Sequence, residues 1–366
     1  MAVVMAAADR AIEGAGSQRR RARAQRLAFL LLAFIAALLA GLGIGAVPIS
    51  PGEIAHILMA RIGLISLDPE LTTQSAVLLS IRAPRVVLGM LVGGALSTCG
   101  AALQGLFRNP LADPQLIGVS AGAALAAVTV IVFGAGLAAV LPSPLDLSLL
   151  PVAAFFGGLI VTLIIQRMAR RHGETDVATL LLAGIAVNAI ATAGMGLLLF
   201  VADDQQLRSI TIWMLGSLSG RPWSEVLPAL PLILLGVVGL LVLARPLNAL
   251  MLGEREAFHL GFDVERVKRR MVLLVALATG AAVAVSGIIG FVGLVVPHLV
   301  RLLLGADNRL VLPASALTGA TLLLLADLAA RHVVLPAELP IGILTSLIGG
   351  PFFIWLLLTR LRQRNA

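Results

Sequence analysis

Long uninterrupted runs of apolar residues alternate with short polar segments along most of this chain. A helix that crosses a membrane needs about 20 mainly apolar residues, because each residue adds about 1.5 Å along a hydrocarbon layer of about 30 Å. Several uncharged runs reach or approach that length, so the pattern predicts a bundle of membrane-spanning helices. The runs are 27–47, 86–107, 114–145, 147–166, 177–202, 226–244, 271–300, 310–326 and 339–359.

The run 271–300 decides how many times the chain crosses the membrane. It is too long for one helix and short for two, and it contains Gly287, Gly290 and Pro297, which can interrupt a helix. If it crosses twice, the chain has ten spans, both termini are cytoplasmic, and 21 of the 27 basic residues lie on the cytoplasmic side. A single crossing lowers that number to 17. Because cytoplasmic segments are rich in Lys and Arg, the sequence predicts ten transmembrane helices.

The composition agrees with this pattern. Hydrophobic residues make up 59% of the chain and charged residues 13%, with a mean hydropathy of +1.02. A soluble enzyme could not cover so much apolar surface, so the predicted fold class is an all-α polytopic membrane protein. We expect residues 1–26 to form a flexible, Arg-rich cytoplasmic tail and residues 27–366 to form a single ten-helix transmembrane domain. The net charge of +8 is spread between the apolar runs, which favours membrane topology and indicates no nucleic acid partner.

The sequence offers no catalytic, metal or nucleotide site. Its five His residues are scattered, and none belongs to a paired metal motif. The only lysine, Lys268, does not follow the Gly-rich turn of a P-loop, so any energy from ATP must come from another chain. We therefore expect no catalytic residue, no cofactor and no metal ion here. Intramembrane carboxylates are scarce, Asp327 being the clearest, which disfavours a proton-coupled carrier.

The longest hydrophilic stretch between runs, 245–270, predicts a short amphipathic helix on the cytoplasmic face. Gly253 and Gly261 bracket about two helical turns, and Leu252, Ala257, Leu260 and Phe262 are expected to face one way. Such a helix can lie at the lipid interface or dock in a groove of a partner protein. The candidate docking residues are Leu252, Gly253, Glu254, Arg255, Ala257, Leu260 and Gly261.

Six arginines on the predicted outer side are exceptions to the topology rule, and three of them lie at the mouths of spans. Arg82 and Arg85 lie at the mouth of the second span and Arg331 at the mouth of the ninth. Arginines at helix ends can simply extend toward the membrane surface. Alternatively, they form a basic rim for the carboxylates of a docking protein, because guanidinium and carboxylate groups pair well.

At these segments the chain strongly resembles the permease family of type II ABC importers for iron siderophores, haem and cobalamin. It is most similar to haem permeases, notably around Arg208. One departure is Ala83, where the family usually has Leu. The matching stretches are 81–85, 104–114, 213–218, 252–261, 290–301, 325–331 and 338–342.

The resemblance implies a permease with ten helices per subunit that works as a homodimer in the bacterial inner membrane, surrounded by membrane lipid. Two cytoplasmic ABC ATPase subunits and a periplasmic substrate-binding protein are the implied partners. Residues 252–262 would form the coupling helix for the ATPase, and Arg82, Arg85 and Arg331 would dock the binding protein.

Further implications of the resemblance concern the path and the cargo. The span 177–201, with Gly184 and Asn188, would line the translocation path, and Arg208 would assist entry at the outer mouth. Haem is the favoured cargo, with ferric siderophores and cobalamin as alternatives. A secondary transporter, which would work without an ATPase, is the remaining different class.

Overall fold

The computed structural model describes residues 2–138, 149–171, 174–334 and 337–364. In this part of the chain nearly all regular structure is α-helical, and the β-structure is one antiparallel pair, β1 (Arg170–Arg171) with β2 (Glu174–Thr175). The helices are α1 Ala2–Gly43, α2 Pro51–Arg61, α3 Thr72–Val77, α4 Ala83–Leu106, α5 Val119–Ala138, α6 Leu149–Met168, α7 Val177–Val201, α8 Asp204–Met214, α9 Trp223–Val242, α10 Ala244–Leu252, α11 Glu254–His259, α12 Val264–Ser286, α13 Val292–Leu304, α14 Asn308–His332 and α15 Ile341–Arg364.

Many of these helices have the length and composition of membrane spans. Within the described residues, 7 helices are long and apolar enough to cross a membrane, and Val119–Gly134, Val292–Leu304 and Ile341–Trp355 are shorter apolar helices. The all-α polytopic class is thereby confirmed, whereas the count of ten crossings stays a prediction. Helix α1 begins at Ala2, so residues 2–26, which were expected to form a flexible tail, continue the first apolar helix.

Helix α4 lies at the centre of the bundle and is buried along most of its length. Small residues let its backbone approach two neighbours closely, as is typical of helix packing in membranes. Gly93 faces Gly319 of α14, and a Cβ atom on Gly100 would overlap the carbonyl oxygen of Gly293 in α13. The packing of α4 therefore fixes where the side chains at its two ends are held.

The run 271–300 is interrupted, as its glycines predicted. Helix α12 ends at Ser286, and Gly287 has a φ of 71°, in the left-handed region that favours glycine. Backbone hydrogen bonds tie this break to two others: the amide of Ser217 donates to Ser286 O over 2.8 Å, and that of Ile341 donates to Gly216 O over 3.0 Å. Helix α13, which follows, has 13 residues and is shorter than a full crossing.

The last turn of α4 and the segment after it tie three helices together. Arg108 Nε donates to the carbonyl oxygen of Leu250 in α10 over 2.9 Å. Gln104 Nε2 donates to that of Leu294 in α13 over 3.2 Å. Asp113 then caps the short helical turn Pro114–Ile117 by accepting a hydrogen bond from the amide of Gln115. The polar residues of 104–114 therefore satisfy backbone groups where these helices meet.

Candidate functional site

Two candidate sites lie at opposite ends of α4. Arg85 is in its first turn, and Arg108, just after its last turn, contacts Leu250 of α10. A helix of 24 residues spans about 36 Å, so the two ends are separated by roughly a membrane thickness. We call the group of Arg85, Asp327, Arg331 and Glu338 the arginine cluster. Residues 252–262, which include α11, are the connector.

The arginine cluster is centred on the buried carboxylate of Asp327, whose side chain is 2% exposed. Arg85 Nε and Nη2 lie 3.0 and 2.9 Å from its Oδ1, and Arg331 Nη2 lies 2.7 Å from its Oδ2. Asp327 and Arg331 are one turn apart on α14, which places them on the same face. The hydrogen bonds from Arg85 to Asp327 are charge-assisted and fix the orientation of the Arg85 guanidinium group.

Glu338 is the second carboxylate that pairs with Arg85. Its Oε1 lies 2.9 Å from Arg85 Nη1, and its side chain is 40% exposed. Burial alone would raise the pKa of Glu338, but hydrogen bonds from Arg85 and Ser219 and the charges of Arg85 and Arg331 outweigh it, so the pKa lies below its usual value. Of the two carboxylates on Arg85, Glu338 is the accessible one.

Arg82 is held differently, by backbone oxygens. Its Nη1 donates to the carbonyl oxygens of Leu42 and Gly43 over 2.7 and 2.9 Å, and its Nη2 donates to that of Val47. These three groups lie where α1 ends and the chain turns toward α2. Arg82 therefore ties the start of α4 to the end of the first long helix.

Arg82 and Arg85 therefore do not form an exposed basic rim in the structure. Arg82 is 4% exposed and Arg85 8%, because each guanidinium finds its acceptors within the chain. Arg331 is nearly as enclosed, with 11% of its side chain exposed. The three predicted docking residues lie near one another at one end, where Arg85 and Arg331 are paired with carboxylates and Arg82 is held by backbone oxygens.

The connector at the other end is anchored through one small residue and one ion pair. Ala257 is fully buried against the bundle, and Phe262 is partly buried and packs against the same core. Lys268 Nζ lies 2.7 Å from Glu254 Oε1 and also donates to the carbonyl oxygen of Thr175 over 3.1 Å. Helix α11 has six residues, and the chain leaves it at Gly261 with a φ of 84°.

The large apolar side chains of the connector point away from the bundle. Leu252, Phe258 and Leu260 are 71%, 69% and 60% exposed. The expectation that Leu252 and Leu260 share a face with Ala257 and Phe262 is wrong, because Ala257 and Phe262 pack against the core whereas Leu252 and Leu260 are exposed. The exposed Phe258 lies in the predicted segment 252–262 but was not among the individually predicted docking residues, and its position directly after Ala257 in a helix points it away from the bundle.

Exposed side chains of this size at the tip of a helical segment are typical of a surface that a partner covers. Glu254, Glu256 and Arg255 are exposed beside them, and Gly253 is buried at the start of α11. The connector therefore presents an apolar centre with a charged surround, which is the usual arrangement of a protein interface.

The predicted path residues pack inward. Gly184 is buried, and a Cβ atom there would overlap the carbonyl oxygen of Leu116. Asn188 Nδ2 donates to the carbonyl oxygen of Gln115 over 3.2 Å. Both residues hold α7 against the Pro114–Ile117 turn, while α7 exposes an apolar face elsewhere. Arg208 is exposed on α8. The exposed residues of α7 include Leu182, Ile185, Ile190, Leu197 and Phe200.

Comparison with known proteins identifies the family and several relatives of the chain. The FecCD transport family matches residues 31–359. A hemin transport system permease protein, HmuU, of Yersinia pestis is 52% identical over 287 residues, which cover 78% of this chain and 84% of that protein. A cobalamin import system permease protein, BtuC, of Halobacterium salinarum is 45% identical over 288 residues, covering 79% of this chain and 75% of that protein.

A solved structure of an ABC transporter is also similar to this chain. A metal-chelate type ABC transporter in an inward-facing conformation has a TM-score of 0.78 and 32% sequence identity, and the match covers 92% of this chain and 99% of that one. The helical fold and these relatives define a permease subunit of an ABC importer, which is a transport component and not itself an enzyme. The chain belongs to the FecCD transport family.

Proposed function

We propose that this chain forms, as a homodimer, the transmembrane path of an ATP-driven haem importer in the bacterial inner membrane. Both termini are placed in the cytoplasm, since that orientation puts 21 of the 27 basic residues on the cytoplasmic side. Membership of an ABC importer family sets aside a secondary transporter. The relative that transports hemin, at 52% identity, supports haem as the cargo.

Cobalamin or a ferric siderophore is the second candidate cargo. The 45% identity to a cobalamin permease and the similarity to a metal-chelate type transporter favour this alternative. Haem carries two carboxylates, and the exposed guanidinium of Arg208 on α8 suits their entry. We place the path along α7, with its exposed apolar face turned toward the second copy and with Gly184 and Asn188 holding the helix in place.

The observation that supports the ATPase assignment best is the exposed apolar centre of the connector. Leu252, Phe258 and Leu260 have no cover in the described chain, and a groove of a cytoplasmic ATPase subunit would bury them. Ala257 and the pair of Lys268 with Glu254 fix the connector to α12. A force on the connector would therefore be transmitted into a long transmembrane helix.

Docking of a substrate-binding protein is proposed at the arginine cluster by exchange of carboxylates. Asp327 is buried and engaged by two arginines, so it stays in place. Glu338 is accessible, and a carboxylate of the docking protein can replace it on Arg85. Arg82 and Arg331 contribute positive potential to the same surface.

Reconstitution tests the whole proposal. The permease is combined in vesicles with its ATPase subunits and with a substrate-binding protein loaded with haem, with cobalamin or with a ferric siderophore. Haem should stimulate both ATP hydrolysis and uptake more than the other two. Stimulation by cobalamin or by the siderophore alone would overturn the cargo assignment. Uptake without ATPase subunits would overturn the importer assignment.

A further inference from the structure

A cavity of about 790 Å³ opens at the connector end of the bundle, away from the connector itself. It lies where α6 ends, beside the β1–β2 pair and the first turns of α12. Its basic wall is formed by Arg167, Arg170 and Arg269. Three guanidinium groups from three different elements therefore converge on one space.

These three arginines have no carboxylate partner among the described residues, and all three are exposed. Glu265 also lines the cavity, but its two oxygens accept hydrogen bonds from the amide and the hydroxyl of Thr175 over 2.8 and 2.6 Å. The cavity thus keeps an excess of positive charge, which suits an anion.

The part of the cavity lining that precedes Arg167 on α6 is apolar. Ile160, Leu163 and Ile164 are spaced three and four residues apart on α6, so they share one face, and they are 53%, 41% and 47% exposed. Helix α6 is one of the helices long and apolar enough to span a membrane. The cavity is therefore continuous with the surface that acyl chains cover, and its arginines lie where the apolar span ends.

We propose that this cavity binds the headgroup of an anionic phospholipid, with the phosphate on Arg167, Arg170 and Arg269 and an acyl chain along Ile160 and Leu163. Basic pockets between transmembrane helices at the membrane surface suit such headgroups, and guanidinium groups pair well with phosphate. A protein partner would not need the lipid-facing wall, and a free phosphate ion would not use it. The proposal depends on the membrane-spanning character of α6 and not on the cargo.

The cavity is also linked to the connector through Thr175. The carbonyl oxygen of Thr175 accepts from Lys268, which pairs with Glu254 at the start of α11. A bound headgroup would therefore steady the strand pair on which the anchor of the connector rests. Through this link, lipid bound in the cavity would affect how firmly the proposed ATPase surface is held.

Lipid binding to the purified full-length chain tests the proposal. Native mass spectrometry in detergent compares phosphatidylglycerol with phosphatidylcholine, with inorganic phosphate as a competitor. One variant combines Arg167→Gln, Arg170→Gln and Arg269→Gln. The control combines Arg245→Gln, Arg266→Gln and Arg309→Gln, which removes the same charge from exposed arginines that do not line the cavity.

We expect phosphatidylglycerol to bind in preference to phosphatidylcholine and to resist competition by inorganic phosphate. Since each arginine near an anionic headgroup is worth about fivefold in affinity, the cavity variant should lose at least about tenfold, and the control much less. Equal losses in both variants, or no preference between the lipids, would overturn the site. Displacement by inorganic phosphate would show a simple anion site instead of a lipid site. None of these outcomes bears on haem transport, which reconstitution tests separately.

Discussion

The two ends of α4 differ in which side chains they bury and which they expose. At one end, charged side chains are buried and paired with one another, and Asp327 is 2% exposed between two arginines. At the other end, large apolar side chains are left in the open, and Leu252 is 71% exposed. The difference shows that the buried charges of the arginine cluster are held by partners within the chain, whereas the apolar side chains of the connector are left exposed, as at a surface that another protein covers.

The largest expected effect is at the buried end. Asp327→Asn leaves Arg85 and Arg331 without their shared carboxylate, and loss of one partner of a buried ion pair costs about 3–5 kcal/mol. Thermal unfolding of the purified protein in detergent should show a large fall in Tm. The control is Asp263→Asn, which removes an exposed partner of Arg266 and should cost less than about 1 kcal/mol. Equal effects of the two substitutions would contradict the contrast between the ends.

The next effect is at the exposed end and concerns association instead of stability. The combination of Leu252→Ser, Phe258→Ser and Leu260→Ser removes the apolar centre of the connector, so affinity for the ATPase subunits should fall by about 2–4 kcal/mol. The Tm should stay nearly unchanged, because these side chains are exposed.

A matched control for this triple variant lies at the arginine end. Ile62→Ser, Leu64→Ser and Val333→Ser change side chains that are 72%, 69% and 63% exposed. Surface plasmon resonance with the ATPase subunits should find no change for this control. A comparable loss in both variants would mean that the connector is not a specific surface.

A smaller effect is expected where the connector meets the bundle. Lys268→Met keeps the length of the side chain but removes the pair with Glu254 and the hydrogen bond to Thr175, at a cost of about 1–2 kcal/mol. Hydrogen exchange should become faster in α11 and stay unchanged at Asp327. If α11 keeps its protection, Ala257 alone anchors the connector.

The smallest effect is the pH response of Glu338. Its pKa is lowered in the folded chain, so its contribution to stability is present above the usual carboxyl pKa and is lost as the pH falls through the lowered value. Between about pH 6 and about pH 3.5, the Tm of the native protein should fall slightly more than that of Glu338→Gln. The difference is small, because a side chain that is 40% exposed is well screened. Parallel curves would mean that Glu338 is not held by Arg85.

Much of the fold follows from the sequence because it depends on local features. Apolar runs of sufficient length predicted most of the long helices, and glycines predicted the interruption that the structure places at Gly287. Arg85 and Glu338 meet although 253 positions separate them. No local pattern reports such a pair, so the burial of the arginines could not be predicted.

For the connector, too, the sequence predicts only part of the structure. Its position between Gly253 and Gly261 could be predicted, but which of its faces meets α12 could not. Ala257 is small enough to fit against the bundle, and its burial there leaves Leu252 and Leu260 exposed. Apolar residues in a short helix do not by themselves distinguish an inner face from a surface that waits for a partner.

Cysteine accessibility can show directly whether an ATPase subunit covers the connector and leaves the arginine end open. The chain has one cysteine, Cys99, and it is buried, so Phe258→Cys and Val333→Cys each add a single accessible thiol. Maleimide labelling is measured with and without the ATPase subunits. The ATPase subunits should protect Phe258→Cys from labelling and leave the labelling of Val333→Cys unchanged. Equal labelling of Phe258→Cys with and without the ATPase subunits would mean that they do not cover the connector.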